Sequence, residues 1–164
     1  CSISPKENNV INIIPESKEL GYVGKPKKIN KDKILNFINN KQIPIVVPLG
    51  LGDNGRIYNI NADVAAGSIA KEIDARRLLL MTDVEGVLDE NQKLISEINL
   101  NKANEMLKNN IISGGMIPKI NTCLDAISNG VRGVVIVDGR KPHSILFELF
   151  SDKGAGTLIR KWII

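Results

Sequence analysis

Several residue types that define large classes of protein are scarce in this chain. Aromatic residues make up 4% of it, and its 164 residues include one histidine and two cysteines. Two cysteines far apart in sequence form neither a disulfide framework nor a metal motif, and the lone His143 has no nearby partner for catalysis. No apolar run approaches the length of a membrane span, and nothing has the profile of a signal peptide. We therefore expect a protein of a reducing compartment, with no metal site and no membrane partner.

The basic charge of the chain is scattered. The net charge is +4 and the pI is about 9.1, but the lysines stand among acidic residues and cluster only at residues 25–28. With few aromatic rings to stack on bases, this pattern predicts no nucleic-acid partner. A content of 43% hydrophobic and 24% charged residues fits one soluble globular domain, which we expect to span residues 1–164. Because the chain does not begin with methionine, we also expect that the start of the protein is missing.

Apolar runs of strand length alternate with patterns of helical period along the chain. Three apolar runs predict strands that are buried on both faces, at residues 43–47, 78–81 and 131–137. Helices are predicted at residues 64–74, 101–108, 117–127 and 142–150, a glycine-rich loop at 49–55, and a loop with a closing edge strand at 154–159. This alternation predicts an α/β fold with a mainly parallel sheet that helices cover on both faces.

Polar residues two apart precede the helix predicted at residues 64–74. In extended backbone Asn59, Asn61 and Asp63 leave the same face, so two amides and a carboxylate reach the strand-to-helix junction together. Such a set suits the binding of a polar ligand. The alternative is that Asp63 is only a helix N-cap and that the asparagines are turn residues.

A glycine pair precedes the helix predicted at residues 117–127. Lys119 lies near the start of this helix, where a cation opposes the macrodipole by about 0.3–1 kcal/mol. A bound phosphate removes the conflict, because the lysine and the free N–H groups at Gly114 and Gly115 hold it together. The alternative is an exposed lysine with no ligand.

Thr82 and Asp83 follow another buried strand, at the carboxyl end, where parallel sheets bind ligands. Residues 89–92 form a hairpin turn that needs no function.

Four motifs occur in the order and spacing of the N-acetylglutamate kinases, which are members of the amino acid kinase family. They are residues 59–63, 82–87, 113–119 and 154–157. The resemblance implies ATP-dependent phosphorylation of the side-chain carboxylate of N-acetyl-L-glutamate, the second step of arginine biosynthesis. It also implies a three-layer αβα sandwich, in which residues 1–50 end the substrate half and residues 51–164 form the nucleotide-binding half. The lysine-glycine-glycine strand, γ-phosphate glycine pair and substrate arginine of the family have no match here.

The resemblance assigns roles to individual residues. Asn59, with Asn61, is similar to the family's contacts to the substrate, and Asp63 resembles the carboxylate that orients the catalytic lysines. Lys119 resembles the lysine that neutralises the transferring phosphoryl group. The implied nucleotide-binding surface comprises Thr82, Asp83, Val84, Glu85, Gly86, Val87, Leu88, Ile111, Ile112, Ser113, Gly114, Gly115 and Met116. In arginine-inhibited members the effector site resembles this chain at His143, Glu148, Gly154 and Gly156.

The resemblance also implies cofactors and partners. ATP and Mg²⁺ serve the reaction, and the carboxylate nucleophile is already ionised at neutral pH, so no general base is needed. A homo-oligomer is implied, a dimer or a hexamer of dimers, as are an arginine effector, a PII signal protein and a cytoplasmic or plastid-stroma location. Two alternatives stay open: an acyl-aminoadipate kinase of lysine biosynthesis, and a non-catalytic fragment that binds nucleotide or a regulatory partner.

Overall fold

The structure is a computed structural model, and it describes residues 10–15 and 21–162. The chain forms two compact units that divide between Ile73 and Asp74. The strands are β1 (Ile11–Pro15), β2 (Gly24–Ile29), β3 (Leu49–Gly52), β4 (Ile57–Asn59), β5 (Leu78–Thr82), β6 (Glu97–Asn99), β7 (Gly133–Asp138) and β8 (Gly156–Arg160). The helices are α1 (Lys31–Asn39), α2 (Ala62–Glu72), α3 (Leu100–Lys108), α4 (Met116–Ser128) and α5 (Ser144–Phe150). The predicted α/β class is confirmed, and the division into functional halves at residue 50 stays a prediction.

The first unit contains a sheet with the strand order β2-β1-β3-β4. β1 pairs with β3 in parallel, and it pairs with β2 antiparallel, as β3 does with β4. Helix α1 begins at the N-cap Asn30, whose Oδ1 accepts from the Lys33 amide at 3.0 Å, and α2 packs against β2. The buried core of this unit consists of Ile11, Ile29, Ile34, Tyr58, Ile60 and Ala65. This core fixes the junction between β4 and α2, where the polar residues 59–63 lie.

The second unit contains a sheet with the strand order β5-β7-β8-β6. β5 pairs with β7 and β6 with β8 in parallel, whereas β7 and β8 are antiparallel. All residues of β7 are buried, as its apolar run predicts, and α4, whose buried residues include Ile120 and Ile127, packs against β7. The parallel pair β5 and β7 places Thr82 beside Asp138 at one edge of the sheet. No helix in the described ranges is both long enough and apolar enough to span a bilayer.

The strand predicted at residues 43–47 is absent, and this prediction is wrong. The segment forms no ladder, and the side chains of Ile43, Ile45 and Val47 are 90%, 92% and 62% exposed. Pro44 contributes to the difference because it has no N–H to donate to a ladder. Among the strands that the structure describes, none has a recorded pair within residues 43–47.

Two predictions of loop and edge are also wrong. The glycine-rich loop predicted at 49–55 begins as β3, whose Gly50 pairs with Tyr58. β8 is not an edge strand, because the three-residue strand β6 pairs with its outer side. A three-residue strand has too few side chains to show a period in the sequence.

Candidate functional site

The junction between β4 and α2 presents three polar side chains, but not on one extended face. Asn59 ends β4 and is exposed, whereas helix α2 begins at Ala62, so Asp63 already lies in its first turn. The prediction that all three share the face of extended backbone is therefore wrong for Asp63. The N-cap is Asn61 and not Asp63: its Oδ1 accepts from the amides of Asp63 and Val64 at 3.0 and 3.2 Å. Asn61 keeps its side-chain NH₂ as a donor, and the Asp63 carboxyl group lies at the positive end of the helix dipole.

Helix α4 begins without a side-chain cap. The N-cap residue is Gly115, and the preceding Gly114 has a φ of 57°, a left-handed conformation that suits glycine. A Cβ built on either glycine would have no atom within 4 Å, so open space lies beside both. Lys119, the fourth residue of the helix, is half-buried. An uncapped helix start beside open space is an arrangement that receives an anion.

A cavity of about 210 Å³ lies near this helix start in the second unit. Its lining comprises Val84, Gly86, Val87, Leu88, Asp89, Gln92, Ile111, Ile112, Ser113 and Met116. The structure thus brings together, on one cavity, parts of the two distant segments that the family resemblance assigns to a nucleotide; Glu85, Gly114 and Gly115 are not in the lining. Most of the lining is apolar, with a few polar groups from Asp89, Gln92 and Ser113, as is typical of a small-molecule site.

Thr157 holds one wall of this cavity in place. Its buried hydroxyl donates to the Ile95 carbonyl at 2.6 Å and accepts from the Val87 amide at 2.8 Å. The wall residue Gly86 approaches the same hydroxyl so closely that a Cβ on it would lie 2.6 Å from the oxygen. The hairpin of residues 87–95 is present as predicted, closed by a bond from the Asp89 amide to the Lys93 carbonyl at 2.8 Å.

The carboxyl ends of β5 and β7 carry a cluster of charged residues outside the cavity lining. Arg140 donates to both carboxylate oxygens of Asp138, each at 3.0 Å, and the Arg140 amide donates to the same carboxylate at 2.9 Å. The hydrogen bonds from the Arg140 side chain, followed by the one from its amide, lower the pKa of Asp138 to about 2. Lys141 pairs with Glu85 at 2.5 Å. Thr82 and Asp83, predicted for the nucleotide, lie at this edge and do not line the cavity.

A second cavity, of about 510 Å³, surrounds the predicted effector residues. It is lined by Arg77, Ser96, Glu97, Glu148, Ser151, Asp152, Lys153, Gly154, Gly156 and Leu158. Glu148 is 7% exposed, accepts from the Ala155 amide at 2.9 Å and pairs with the Arg77 guanidinium at 3.2 Å. Glu148, Gly154 and Gly156 are thus brought together. His143 is not part of this lining; it is exposed at the start of α5 with a φ of 60°.

Sequence reasoning missed several lining residues. Asp89 and Gln92 belong to a turn that needs no function, and only its fold against the segment 111–116 places them on the first cavity. Arg77 and Glu148 form an ion pair although they are 71 residues apart in the sequence, and no local pattern predicts this pair. Among the residues that the structure describes, no group of three or more His, Cys, Asp or Glu side chains is placed to hold a metal ion.

This combination of fold and site defines a class of protein. Residues 2–138 match the family model "Amino acid kinase family", so the chain belongs to the amino acid kinase family. It is 58% identical over 159 residues to the acetylglutamate kinase of Pelagibacter ubique, a match that covers 97% of this chain and 55% of that enzyme. The acetylglutamate kinase of Rhodospirillum rubrum is 46% identical over 154 residues, with 94% of this chain and 48% of that enzyme covered. The chain therefore spans about half the length of these relatives.

Solved structures agree on the fold. The crystal structure of N-acetylglutamate synthase from Neisseria gonorrhoeae superimposes with a TM-score of 0.88 at 24% identity, over 96% of this chain and 38% of that protein. At that identity the likeness concerns the fold alone.

Proposed function

We propose that this chain carries the nucleotide side and part of the substrate side of an acetylglutamate kinase, which transfers the γ-phosphoryl group of ATP to the side-chain carboxylate of N-acetyl-L-glutamate. The observation that carries the proposal is the 58% identity to an acetylglutamate kinase over 97% of this chain, which extends through the polar junction, the uncapped helix and the first cavity. The same identity favours acetylglutamate over the homologous aminoadipate derivative.

The first cavity would hold the adenine end of ATP. Apolar side chains such as Val84, Leu88 and Met116 can pack against the faces of a base, and the polar groups of Asp89 and Gln92 can form hydrogen bonds with its edge. The Gly114–Gly115 segment follows directly on Ser113 in this lining and leads into the start of α4. The phosphates would therefore run from the cavity towards the open space beside the two glycines. Phosphate oxygens and water would supply most ligands of a Mg²⁺ ion bound with ATP, since no group of three or more His, Cys, Asp or Glu side chains in the described part of the chain is placed to hold a metal.

The chemistry needs charge stabilisation and positioning more than it needs proton transfer. The substrate carboxylate is ionised at neutral pH and attacks without a general base. An anion must nevertheless approach an anionic phosphate, and negative charge spreads over the transferring group in the transition state. The Lys119 ammonium and the amides at the start of α4 would stabilise this charge.

The polar junction would contribute to the substrate side. The exposed Asn59 amide and the free NH₂ of Asn61 offer donors to a carboxylate or an acetyl carbonyl. Asp63 lies in the first turn of α2 and would act by orienting lysines, because a carboxylate aimed at the phosphate would repel it. Asp63 is therefore a positioning residue in this proposal.

The second cavity would be the arginine effector site. Glu148 would exchange the guanidinium of Arg77 for that of the effector, and the loop at Gly154 and Gly156 would receive the effector's carboxylate. We further propose a homo-oligomer, a dimer or a hexamer of dimers, with regulation by a PII signal protein in the cytoplasm or plastid stroma. These partners follow from the family resemblance, and measuring the mass of the assembly in solution tests the first of them.

The experiment uses a chimera in which the part of the Pelagibacter ubique enzyme that this chain does not match is joined ahead of this chain. Lys119→Ala should lower kcat by about 10²–10³, the usual loss for one transition-state contact. Asn59→Ala should raise the KM for acetylglutamate while the KM for ATP changes little. Lys108→Ala, at an exposed lysine that ends α3, is the matched control and should leave turnover unchanged.

Three results would contradict the proposal. Near-normal turnover of the Lys119→Ala chimera would remove that lysine from the phosphoryl site. A chimera that phosphorylates the acetylated aminoadipate better than acetylglutamate would assign the protein to lysine biosynthesis instead. A folded chimera that binds ATP but phosphorylates neither acid would leave only the nucleotide-binding alternative.

A further inference from the structure

The hairpin of residues 87–95 forms one wall of the first cavity. The rest of the lining includes the segment 111–116, and the hairpin supplies Val87, Leu88, Asp89 and Gln92. Within the hairpin, the Ile95 amide donates to the Val87 carbonyl at 2.9 Å. Because a hairpin of two short strands is only marginally stable by itself, the position of this wall depends on what holds the hairpin to the rest of the unit.

One oxygen atom holds both arms of this hairpin. The Thr157 hydroxyl accepts from the Val87 amide in the first arm at 2.8 Å and donates to the Ile95 carbonyl in the second arm at 2.6 Å. Thr157 is 0% exposed and Val87 is 1% exposed, so water competes little for these bonds. A hydroxyl can donate and accept at the same atom, and a methyl group in its place can do neither.

Thr157 is itself fixed by the sheet of the second unit. It pairs with Ile136 in the buried strand β7, and β8 lies between β7 and β6. The next residue, Leu158, donates its amide to the carbonyl of Ser96, just after the hairpin, at 2.9 Å. The hydroxyl therefore attaches the hairpin to an interior strand and not to another loop.

The backbone that enters the hairpin lies close against the same hydroxyl. Gly86 lines the cavity and has a φ of 148°, a conformation that side chains rarely adopt. A Cβ on Gly86 would lie 2.6 Å from the Thr157 hydroxyl oxygen and 2.7 Å from Cδ1 of Leu94 in the second arm. A shift of the hairpin relative to Thr157 would therefore also move this part of the cavity wall.

We propose that Thr157 is a positioning residue for nucleotide binding, whose hydroxyl fixes the hairpin wall at the distance that the base of ATP requires. The proposal rests on the proposed function, because it deepens the assignment of the first cavity to a nucleotide. Thr157 is not in the lining, so it acts through Val87 and Ile95 and not by contact with the ligand. A wall that is already in place spares the ligand the cost of ordering it.

Three substitutions in β8 test the role of the hydroxyl in the 164-residue chain, with ADP and Mg²⁺ as the ligand. Thr157→Val keeps the shape of the side chain and should weaken ADP binding by about tenfold or more in calorimetry, because the buried Val87 amide loses its acceptor. Thr157→Ser keeps the hydroxyl and should restore most of the affinity. Ile159→Val, the control, removes a buried methyl group from the same strand and should lower the thermal midpoint without changing the affinity.

Hydrogen exchange locates the effect without any ligand. In the Thr157→Val protein the amides of Val87 and Ile95 should exchange at least about tenfold faster than in the unsubstituted chain, whereas the buried β7 amides, which report the fold, should stay slow. Should Thr157→Val fail to fold, Thr157→Ala removes the hydroxyl without placing a methyl group against the amide and the carbonyl, and the same results are expected of it.

Kinetics separate the two substrates. In the chimera defined above, Thr157→Val should raise the KM for ATP and leave the KM for acetylglutamate unchanged, because the hairpin belongs to the nucleotide cavity alone. A loss of fold or of general stability would not divide the two constants in this way.

Several outcomes overturn the proposal. One is a Thr157→Val protein that binds ADP as tightly as the unsubstituted chain, and another is unchanged exchange at Val87 and Ile95. If Thr157→Ser loses as much affinity as Thr157→Val, packing and not the hydroxyl is responsible, and an equal loss in Ile159→Val shows a general effect of stability. An unsubstituted chain that binds no ADP would contradict the proposed function, and exchange at Val87 and Ile95 would then decide the role of the hydroxyl alone.

Discussion

Arg140 holds the carboxylate of Asp138 in its ionised form at the end of β7. Asp138 is 2% exposed and accepts both side-chain bonds and an amide bond from Arg140. Its pKa is lowered from 3.8 to about 2, so between these values the unfolded chain binds a proton that the folded protein does not. The pair therefore contributes stability above pH 4, and this contribution is lost as the pH falls from about 4 to about 2.

We expect the urea midpoint of the protein to fall over this pH range, and Asp138→Asn to remove that part of the fall. Asp152→Asn, at an exposed carboxylate, is the control. If the midpoints of the Asp138→Asn variant and of the unsubstituted protein fell in parallel from pH 4 to pH 2, the Asp138–Arg140 pair would not be the cause of the pH dependence.

Arg77 occupies the place that a free arginine would need at Glu148. Removing it by Arg77→Ala leaves a carboxylate that is almost fully buried with one amide partner, at a cost of about 1–3 kcal/mol in unfolding free energy. Added arginine should then raise the thermal midpoint of the variant more than that of the unsubstituted protein, because the guanidinium position is vacant. Arg132→Ala, at an exposed arginine, should respond to arginine like the unsubstituted protein. An identical response of the Arg77→Ala protein would place arginine outside this cavity.

At the scale of the element, β8 depends on a glycine that lies against its neighbour. A Cβ on Gly156 would lie 2.0 Å from the carbonyl oxygen of Ile136 in β7, where only movement of backbone could make room. Gly156→Ala should therefore cost about 3 kcal/mol or more in unfolding free energy. At Gly133 an added Cβ would meet the terminal Cδ1 of Leu158 at 3.1 Å, which can move aside, so Gly133→Ala should cost about 1 kcal/mol. Urea denaturation of the two variants measures both losses of unfolding free energy. Equal losses would show that contact with the backbone is not what makes Gly156→Ala more destabilising.

The elements differ in how well the sequence predicts them, for physical reasons. α3 and α4 and the buried strand β7 have apolar patterns long enough to define their periods, and they lie close to where these patterns place them. β6 has three residues, too few for a pattern. The lining residues of the first cavity at 84–88 and 111–116 could be assigned only through the family resemblance, because local patterns single out Thr82, Asp83 and the glycine pair, which do not line it. Asp89, Gln92 and Arg77 could not, since tertiary packing alone brings them to the cavities.

At the scale of the whole molecule, what a segment does depends on how much of the protein surrounds it. The run 43–47 has the composition of a buried strand and is exposed, because neighbours along the sheet decide burial and composition does not. The first cavity, by contrast, takes its whole lining from residues 84–116 of one unit. We therefore expect the nucleotide side and the substrate side of the proposed kinase to differ in how well they bind their ligands within these 164 residues.

Ligand stabilisation measures this difference. ADP with Mg²⁺ at 100 times its dissociation constant should stabilise the 164-residue chain by about 2.7 kcal/mol, whereas acetylglutamate alone should do little. Met116→Glu places an acidic side chain in the cavity lining, at a helix start that tolerates it, and should abolish the effect of the nucleotide. Met81→Glu, at an exposed methionine outside that lining, is the control. Thermal unfolding with each ligand gives the answer, and stabilisation by acetylglutamate but not by ADP would reverse the assignment of the two sides.

The start of β8 serves two cavities at once. Gly154 and Gly156 line the one around Glu148, and the next residue, Thr157, fixes the Val87 wall of the other through its hydroxyl. A displacement of this strand start would therefore change the walls of both cavities. Two molecules bound there would share the work of positioning a single short piece of backbone, so each would change the affinity of the other by the same factor. The Thr157 hydroxyl would then couple two ligands that do not contact each other.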